Sequence, residues 1–74
     1  MHYNIVMKFV DFGVNLAKIR IKSGLSAYEL SLRIGKDASY IHKVESGKIN
    51  ISLKVILKIC EVLSIEPVEL FKSE

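Results

Sequence analysis

The chain has 74 residues, half of them hydrophobic, and a formal net charge of +3. This length allows one domain with a small core, and the composition excludes a disordered chain, which would have fewer aliphatic side chains and a larger net charge. The mild positive charge favours a polyanionic partner without requiring one. The single cysteine, Cys60, excludes an internal disulfide and favours a reducing, cytoplasmic location. Polar residues interrupt the N-terminal segment, and no apolar run is long enough to span a membrane, so we expect neither a signal peptide nor a membrane span.

The first predicted helix covers residues 9–22. Its apolar residues Phe12, Leu16 and Ile19 recur at the spacing of one helical face. Gly13 lies early in this segment and weakens the prediction slightly, because glycine is a poor helix former. Gly24, which follows Ser23, ends the helix.

The second predicted helix begins with a capping box. Ser26 can accept a hydrogen bond from the backbone N–H of Glu29, and the Glu29 side chain can accept one from the Ser26 backbone. The helix runs to Ile34 and ends at Gly35, which can adopt the left-handed conformation without steric cost.

The third predicted helix covers residues 38–45, with Asp37 as its cap. It carries Ile41 and Val44 as core residues and ends before Gly47. Between the second and third helices the predicted turn is only three or four residues long. Two short helices joined in this way are typical of a helix-turn-helix pair, which also needs a small residue such as Ser31 where the helices touch.

The fourth predicted helix is capped by Ser52, and a short fifth helix has Pro67 in its first turn, where a missing N–H has no consequence. The fourth helix has core spacing at Ile56, Ile59, Cys60 and Leu63. No segment after the first few residues alternates with a period of two. We therefore expect an all-α, compact five-helix domain over residues 9–74, preceded by an N-terminal tail at residues 1–8.

The residues from Phe12 to Phe71 resemble the Cro and phage-repressor family of helix-turn-helix domains, also called the XRE family, and the fold is expected to be lambda-repressor-like. The resemblance covers most of the chain and combines many weak matches into a specific pattern. The matching residues are Phe12-Gly13, Leu16, Ile19-Arg20, Gly24-Leu25-Ser26, Glu29-Leu30, Gly35, Ser39-Tyr40-Ile41, Val44-Glu45, Gly47-Lys48, Ser52, Ile56, Ile59, Leu63 and Leu70-Phe71.

This resemblance implies that the third helix is a recognition helix whose N-terminal end enters the major groove of double-stranded DNA. It also implies a structural ion pair between Arg20 and Glu45, which would join the first helix to the end of the recognition helix. The positions that would contact bases or phosphates are Ala27, Tyr28, Lys36, Ala38, Ser39, Tyr40, His42, Lys43 and Lys48.

Several positions in this set or next to it depart from the family pattern. Ala27 and Ala38 stand where relatives often have glutamine, and Ile49 stands where they often have arginine. Asp37 replaces a usual serine or threonine and would bring a negative charge near phosphate. Lys36 replaces an aliphatic residue and would add a phosphate contact. Because phosphate contacts supply most non-specific affinity, these changes predict modest binding per subunit.

The fourth helix is apolar most of the way round, because Val55, Leu57 and Val62 add to its core residues. Exposed apolar surface of this kind marks an interface. Two interpretations are open: a monomer with a rather apolar surface, or a homodimer formed by the tail, the fourth and fifth helices, or both. Residues 3–8 could also form a strand that pairs with the same strand of a second copy.

The sequence therefore predicts a sequence-specific DNA-binding transcriptional regulator, with repression as the expected mode. The alternative is an antitoxin-like or regulator-binding interaction module with weak or no DNA binding. We expect no catalytic site, because no nucleophile–base pair or phosphate loop is visible. No cofactor, metal site or small-molecule effector site is expected either. We interpret His42 as a residue facing DNA or solvent and Cys60 as a buried, unreactive thiol.

Overall fold

The computed structural model describes residues 9–72, with side chains from Asp11 onward. The predicted tail and its possible strand lie outside the described residues. The elements in chain order are α1 (Phe9–Lys22), α2 (Ala27–Arg33), α3 (Tyr40–Glu45), α4 (Leu53–Leu63) and a C-terminal 3₁₀ helix (Pro67–Leu70). This part of the chain contains no strand. The all-α prediction is confirmed, with the fifth helix reduced to a single 3₁₀ turn.

The two predicted serine caps are present. The Glu29 backbone N–H donates to the Ser26 hydroxyl at 2.9 Å, and the Ser26 N–H donates to the Glu29 carboxylate at 2.9 Å. At the start of α4, the Val55 N–H donates to the Ser52 hydroxyl at 3.2 Å. These bonds satisfy backbone donors that have no partner inside their own helix, and so they fix where α2 and α4 begin.

The predicted start of the third helix was wrong by two residues, because α3 begins at Tyr40 rather than Ala38. Asp37 does initiate the segment, since its carboxylate accepts from the backbone N–H and the hydroxyl of Ser39 at 3.1 and 2.9 Å. However, the Tyr40 N–H donates to the Asp37 carbonyl at 3.1 Å, which closes a turn tighter than an α-helix. Residues 37–39 therefore form a turn leading into α3.

The core lies between all five elements. Its buried hydrophobic residues are Phe12, Leu16, Leu30, Ile34, Ile41, Val44, Val55, Ile56, Ile59, Cys60, Leu63 and Leu70. This set contains most of the core residues expected from the periodicity, and Ile19 packs against it from a half-buried position. α3 packs on α1 and α2, while the 3₁₀ helix packs on α1 and α4.

The C-terminal segment is fastened to α1. The Asn15 side-chain amide donates to the Leu70 and Lys72 carbonyl oxygens at 3.0 and 2.9 Å. The rings of Phe12 and Phe71 lie next to each other, with centroids 5.2 Å apart. Together these contacts hold the end of the described chain on the same helix that supports α3.

Gly13 allows the backbones of α1 and α3 to approach each other closely. A Cβ atom added at this position would lie only 2.8 Å from the Val44 carbonyl oxygen and closer still to that of Glu45. Both atoms belong to backbone, which cannot move aside as a flexible side chain can. The glycine that weakened the sequence prediction of α1 is therefore required by the packing of α1 against the last turn of α3.

We expect Gly13→Ala to destabilise the protein, although the same change in an exposed helix would stabilise it by about 1 kcal/mol. The steric conflict outweighs helix propensity here, so the net loss should be about 2 kcal/mol and the Tm should fall by about 10 °C. Thermal unfolding followed by circular dichroism measures the effect. Val14→Ala, at the exposed neighbouring position, is the control. A Tm equal to or above that of the unchanged protein would contradict this packing.

Candidate nucleic-acid interface

The turn between α2 and α3 starts with a glycine in the left-handed conformation. Gly35 has φ +78°, the Lys36 N–H donates to the Ser31 carbonyl at 2.9 Å, and the Gly35 N–H donates to the Leu32 carbonyl at 3.0 Å. This pattern is a Schellman motif, which ends a helix and turns the chain away from its axis. It directs the chain across the end of α2 and into α3.

The residues predicted to contact DNA divide into two groups by exposure. Ala27 and Tyr40 are half-buried, and both pack against the core. The exposed ones are Tyr28, Lys36, Ala38, Ser39, His42, Lys43 and Lys48. Since Ile41 and Val44 are buried, α3 has one face in the core and the other open to solvent. Most of the predicted set therefore lies on accessible surface at α3 and the segments next to it.

A contact between Lys36 and Tyr40 spans the turn into α3. The Lys36 ammonium lies 5.2 Å from the centroid of the Tyr40 ring, within the range of a cation–π interaction. Burial raises the pKa of the Tyr40 phenol, so the ring stays neutral. This contact holds a positive charge beside the start of α3. Sequence reasoning proposed both residues separately but missed their contact, which depends on the path of the turn.

Asp37 places a negative charge in the same turn. Hydrogen bonds from the Ser39 hydroxyl and backbone N–H lower the pKa of its carboxyl group, and the charges of Lys43 and Lys36 lower it further. The carboxylate is therefore ionised at neutral pH. This anion near Lys36 and Lys43 would reduce the electrostatic gain from any phosphate bound at this end of α3.

A second Schellman motif ends α3. The Lys48 N–H donates to the Lys43 carbonyl at 3.0 Å, and Gly47 takes the left-handed conformation with φ +74°. Lys43 thus lies in the last turn of α3, and Lys48 lies just after the helix ends. The next residue, Ile49, is half-buried and packs on the core, so it offers no side chain to a ligand.

Arg20 and Glu45 form a bidentate ion pair between α1 and the end of α3. The Arg20 Nε lies 2.6 Å from Glu45 Oε2, and Nη2 lies 3.1 Å from Oε1. The remaining Nη1 donates to the Leu25 carbonyl at 2.9 Å, so the guanidinium also holds the loop before α2. The hydrogen bond to Glu45 raises the pKa of Arg20. Only 14% and 11% of the two side chains are exposed, which makes the pair a structural clamp rather than a ligand contact.

We expect the loss of Arg20 or Glu45 alone to lower the stability of the fold more than the loss of both. Glu45→Leu leaves a mostly buried guanidinium without its carboxylate and should cost about 2–3 kcal/mol, and Arg20→Met should cost a similar amount for the converse reason. The combined variant should lose less than either single change. Urea unfolding measures all three. Glu69→Ala is the control, because its pair with Lys72 at 3.3 Å is exposed and should contribute under ~0.5 kcal/mol. Single losses that simply add would contradict the coupling.

Other chemistry is limited in the part of the chain that the structure describes. No group of three or more His, Cys, Asp or Glu side chains there is arranged to hold a metal ion. None of the described helices is both long and apolar enough to cross a membrane. Cys60 is buried, and burial raises the pKa of its thiol, which keeps it protonated.

Comparison with known proteins gives a consistent result. The Helix-turn-helix family matches residues 16–70. The structure is similar to that of the restriction-modification controller protein C.AhdI from Aeromonas hydrophila, with 46% sequence identity and a TM-score of 0.80 over 85% of this chain and 91% of that one. A hypothetical transcription factor, NHTF from Neisseria, shares 28% identity with a TM-score of 0.79 over 85% and 71% of the two chains.

The clp gene regulator ClgR from C. glutamicum shares the fold, with a TM-score of 0.82 over 89% of this chain and 85% of that one, at only 18% identity. The comparison with curated proteins finds no match.

Proposed function

This chain belongs to the helix-turn-helix family of DNA-binding transcriptional regulators, and we propose that it represses transcription as a cytoplasmic homodimer that inserts α3 into the major groove. The main support for the proposal is that α3 is held firmly on one side and exposed on the other. One face of this helix is buried, its end is clamped by Arg20 and Glu45, and its other face is exposed. A rigid, accessible helix of this kind is what base recognition requires.

The exposed residues suggest a division of roles. Ser39 and His42 have polar side chains that could hydrogen-bond base edges, while Ala38 would offer only a methyl group to a thymine. Lys43 and Lys48 would meet phosphates on either side of the helix end, and their contacts would supply affinity without sequence preference.

Three further residues lie around the exposed face of α3 and would contact phosphates. Lys36, held over the Tyr40 ring, would reach a phosphate near the start of α3. Tyr28 is exposed near the start of α2, where its hydroxyl can donate to another phosphate. Ala27 has no polar side-chain atom and contributes only its backbone N–H.

We expect Lys43→Ala and Lys48→Ala each to weaken binding to all DNA sequences about fivefold and to reduce the salt slope by about 1, because each removes one phosphate contact. Ser39→Ala should instead change the preferred base at one position of the site. Sites selected from random DNA, followed by fluorescence anisotropy at several salt concentrations, measure both effects. Lys22→Ala, an exposed lysine at the end of α1, is the control. If all three contact variants bind like the unchanged protein, α3 is not the recognition helix.

Dimerisation would supply the affinity that a single subunit lacks. A shallow groove of about 640 Å³ runs along α4 and the loop after it, and none of its lining residues comes from α2 or α3. Leu57, 49% exposed, lies in this groove beside Ile65. A second copy that packs here would leave both recognition helices free.

The charges around this groove fit a second copy. Lys54 and Lys58 lie in the first half of α4, whereas Glu61 lies in its last turn and Glu66 in the loop that follows the helix. A two-fold axis that crosses α4 would place the lysines of one subunit opposite the glutamates of the other, as a self-complementary interface requires. The two recognition helices would then read half-sites about one helical turn apart.

We expect Leu57→Asp to weaken the dimer at least tenfold, because it places a charge at the centre of a desolvated interface. Leu53→Asp is the matched control, since Leu53 lies on the same helix, is 68% exposed and does not line the groove. Analytical ultracentrifugation measures the dissociation constant, and anisotropy on a palindromic site measures the consequence for DNA. A Leu57→Asp protein that dimerises as well as the control would rule out this face.

The half-buried Ile49 and the alanines at 27 and 38 are the features that favour the alternative, an interaction module with little DNA binding. Random-sequence DNA at low salt separates the two functions. Salt-dependent binding supports a regulator that contacts phosphate, whereas the absence of any binding supports the interaction module.

A further inference from the structure

Ser31 is a buried hydroxyl whose two hydrogen bonds join α2 to α3. Its side chain is 0% exposed, and it is the one polar side chain found in the buried core of the described residues. The hydroxyl donates to the Ala27 carbonyl at 2.8 Å and accepts from the Ile41 N–H at 2.9 Å. Because its hydrogen is committed to its own helix, the lone pairs of the oxygen face α3.

The N-terminal end of α3 has no cap from its own segment. Ser39, at the N-cap position, has helical backbone angles and makes no capping bond with its side chain, since its hydroxyl donates to Asp37 instead. The first backbone N–H groups of a helix must find acceptors outside that helix. The Ile41 N–H is one of these groups, and its acceptor is Ser31. The first turn of α3 is thus capped from the neighbouring helix.

We infer that Ser31 is a positioning residue for DNA recognition and that its hydroxyl fixes the orientation of the first turn of α3. This inference rests on the proposed function. Ile41 lies between Tyr40 and His42, two of the candidate contact residues, so a constraint on its N–H fixes the backbone that carries them. A helix of six residues has too few internal hydrogen bonds to hold its first turn alone.

Packing alone does not account for a serine at this position. Where two helices cross closely, alanine fills the same space without a polar atom to bury. The hydroxyl is tolerated in the core because both of its hydrogen bonds are made. Removing it leaves the Ile41 N–H buried without this acceptor, and the first turn of α3 can recover a partner only by shifting.

The first experiment tests the hydrogen bond without DNA. Amide exchange measured by NMR should show the Ile41 N–H protected in the unchanged protein, although it lies in the first turn of a helix. Ser31→Ala should remove that protection and leave the Leu30 amide in α2 protected. Ser31→Cys should act similarly, because a thiol fills the space but is a weak acceptor. The inference is overturned if the Ile41 amide exchanges freely in the unchanged protein. It is also overturned if this amide stays protected in both variants.

The second experiment tests recognition and uses the ratio of affinity for a selected site to affinity for random-sequence DNA. All proteins are measured at a temperature where circular dichroism shows them fully folded. In both Ser31 variants the ratio should fall by about tenfold, the equivalent of one good base contact. Binding to random DNA depends on lysines at the helix end and should change by less than about twofold.

Ser23→Ala is the matched control, since the exposed Ser23 hydroxyl also donates to a carbonyl one turn before it, that of Ile19 at 3.0 Å, and lies at the end of α1, away from the bond between α2 and α3. It should leave the ratio unchanged. If the Ser31 variants lower only the Tm and keep the selectivity of the control, Ser31 merely stabilises the fold and the inference is wrong. If the unchanged protein binds no DNA, the proposed function fails together with the role in recognition, while Ile41 exchange still decides whether the hydroxyl caps α3.

Discussion

The approach of α1 to the last turn of α3 is the contact on which the rest of the structure depends. Gly13 lets the two backbones come together, and Arg20 closes the same junction by bonding Glu45 and the loop before α2. A six-residue helix is too short to be stable alone, so α3 is positioned by its packing against neighbouring elements. Steric fit sets the distance between α1 and α3, and the ion pair sets their relative rotation. The exposed face of α3 is oriented by these constraints.

Much of this architecture was predictable because it follows local rules. The capping box of Ser26 and Glu29, the Ser52 cap and the left-handed Gly35 each act within a few residues of their own position, so the sequence specifies them directly. The ion pair of Arg20 and Glu45 came from family resemblance, since no local rule joins residues 25 positions apart.

The remaining features depend on how elements meet in space. The start of α3 was misplaced because the Asp37 carbonyl closes a tight turn before the helix begins, and a cap residue alone does not show which kind of turn follows. The bond from Ile41 to Ser31 and the contact of Lys36 with Tyr40 both require the path of the turn to be known. Gly13 counted against a helix by propensity, yet the packing of α1 requires it.

α1 also has a mechanical role that follows from the Asn15 contacts. The same helix that holds α3 through Gly13 and Arg20 holds the C-terminal segment through the Asn15 amide, and that segment packs on α4. Within the described residues, the proposed recognition helix and the segment beside the proposed dimer face are thus both held by α1. If a dimer forms through the proposed face, this packing would set the separation of its two α3 helices. An operator with one base pair inserted at its centre would then have to twist or bend for both α3 helices to reach their half-sites.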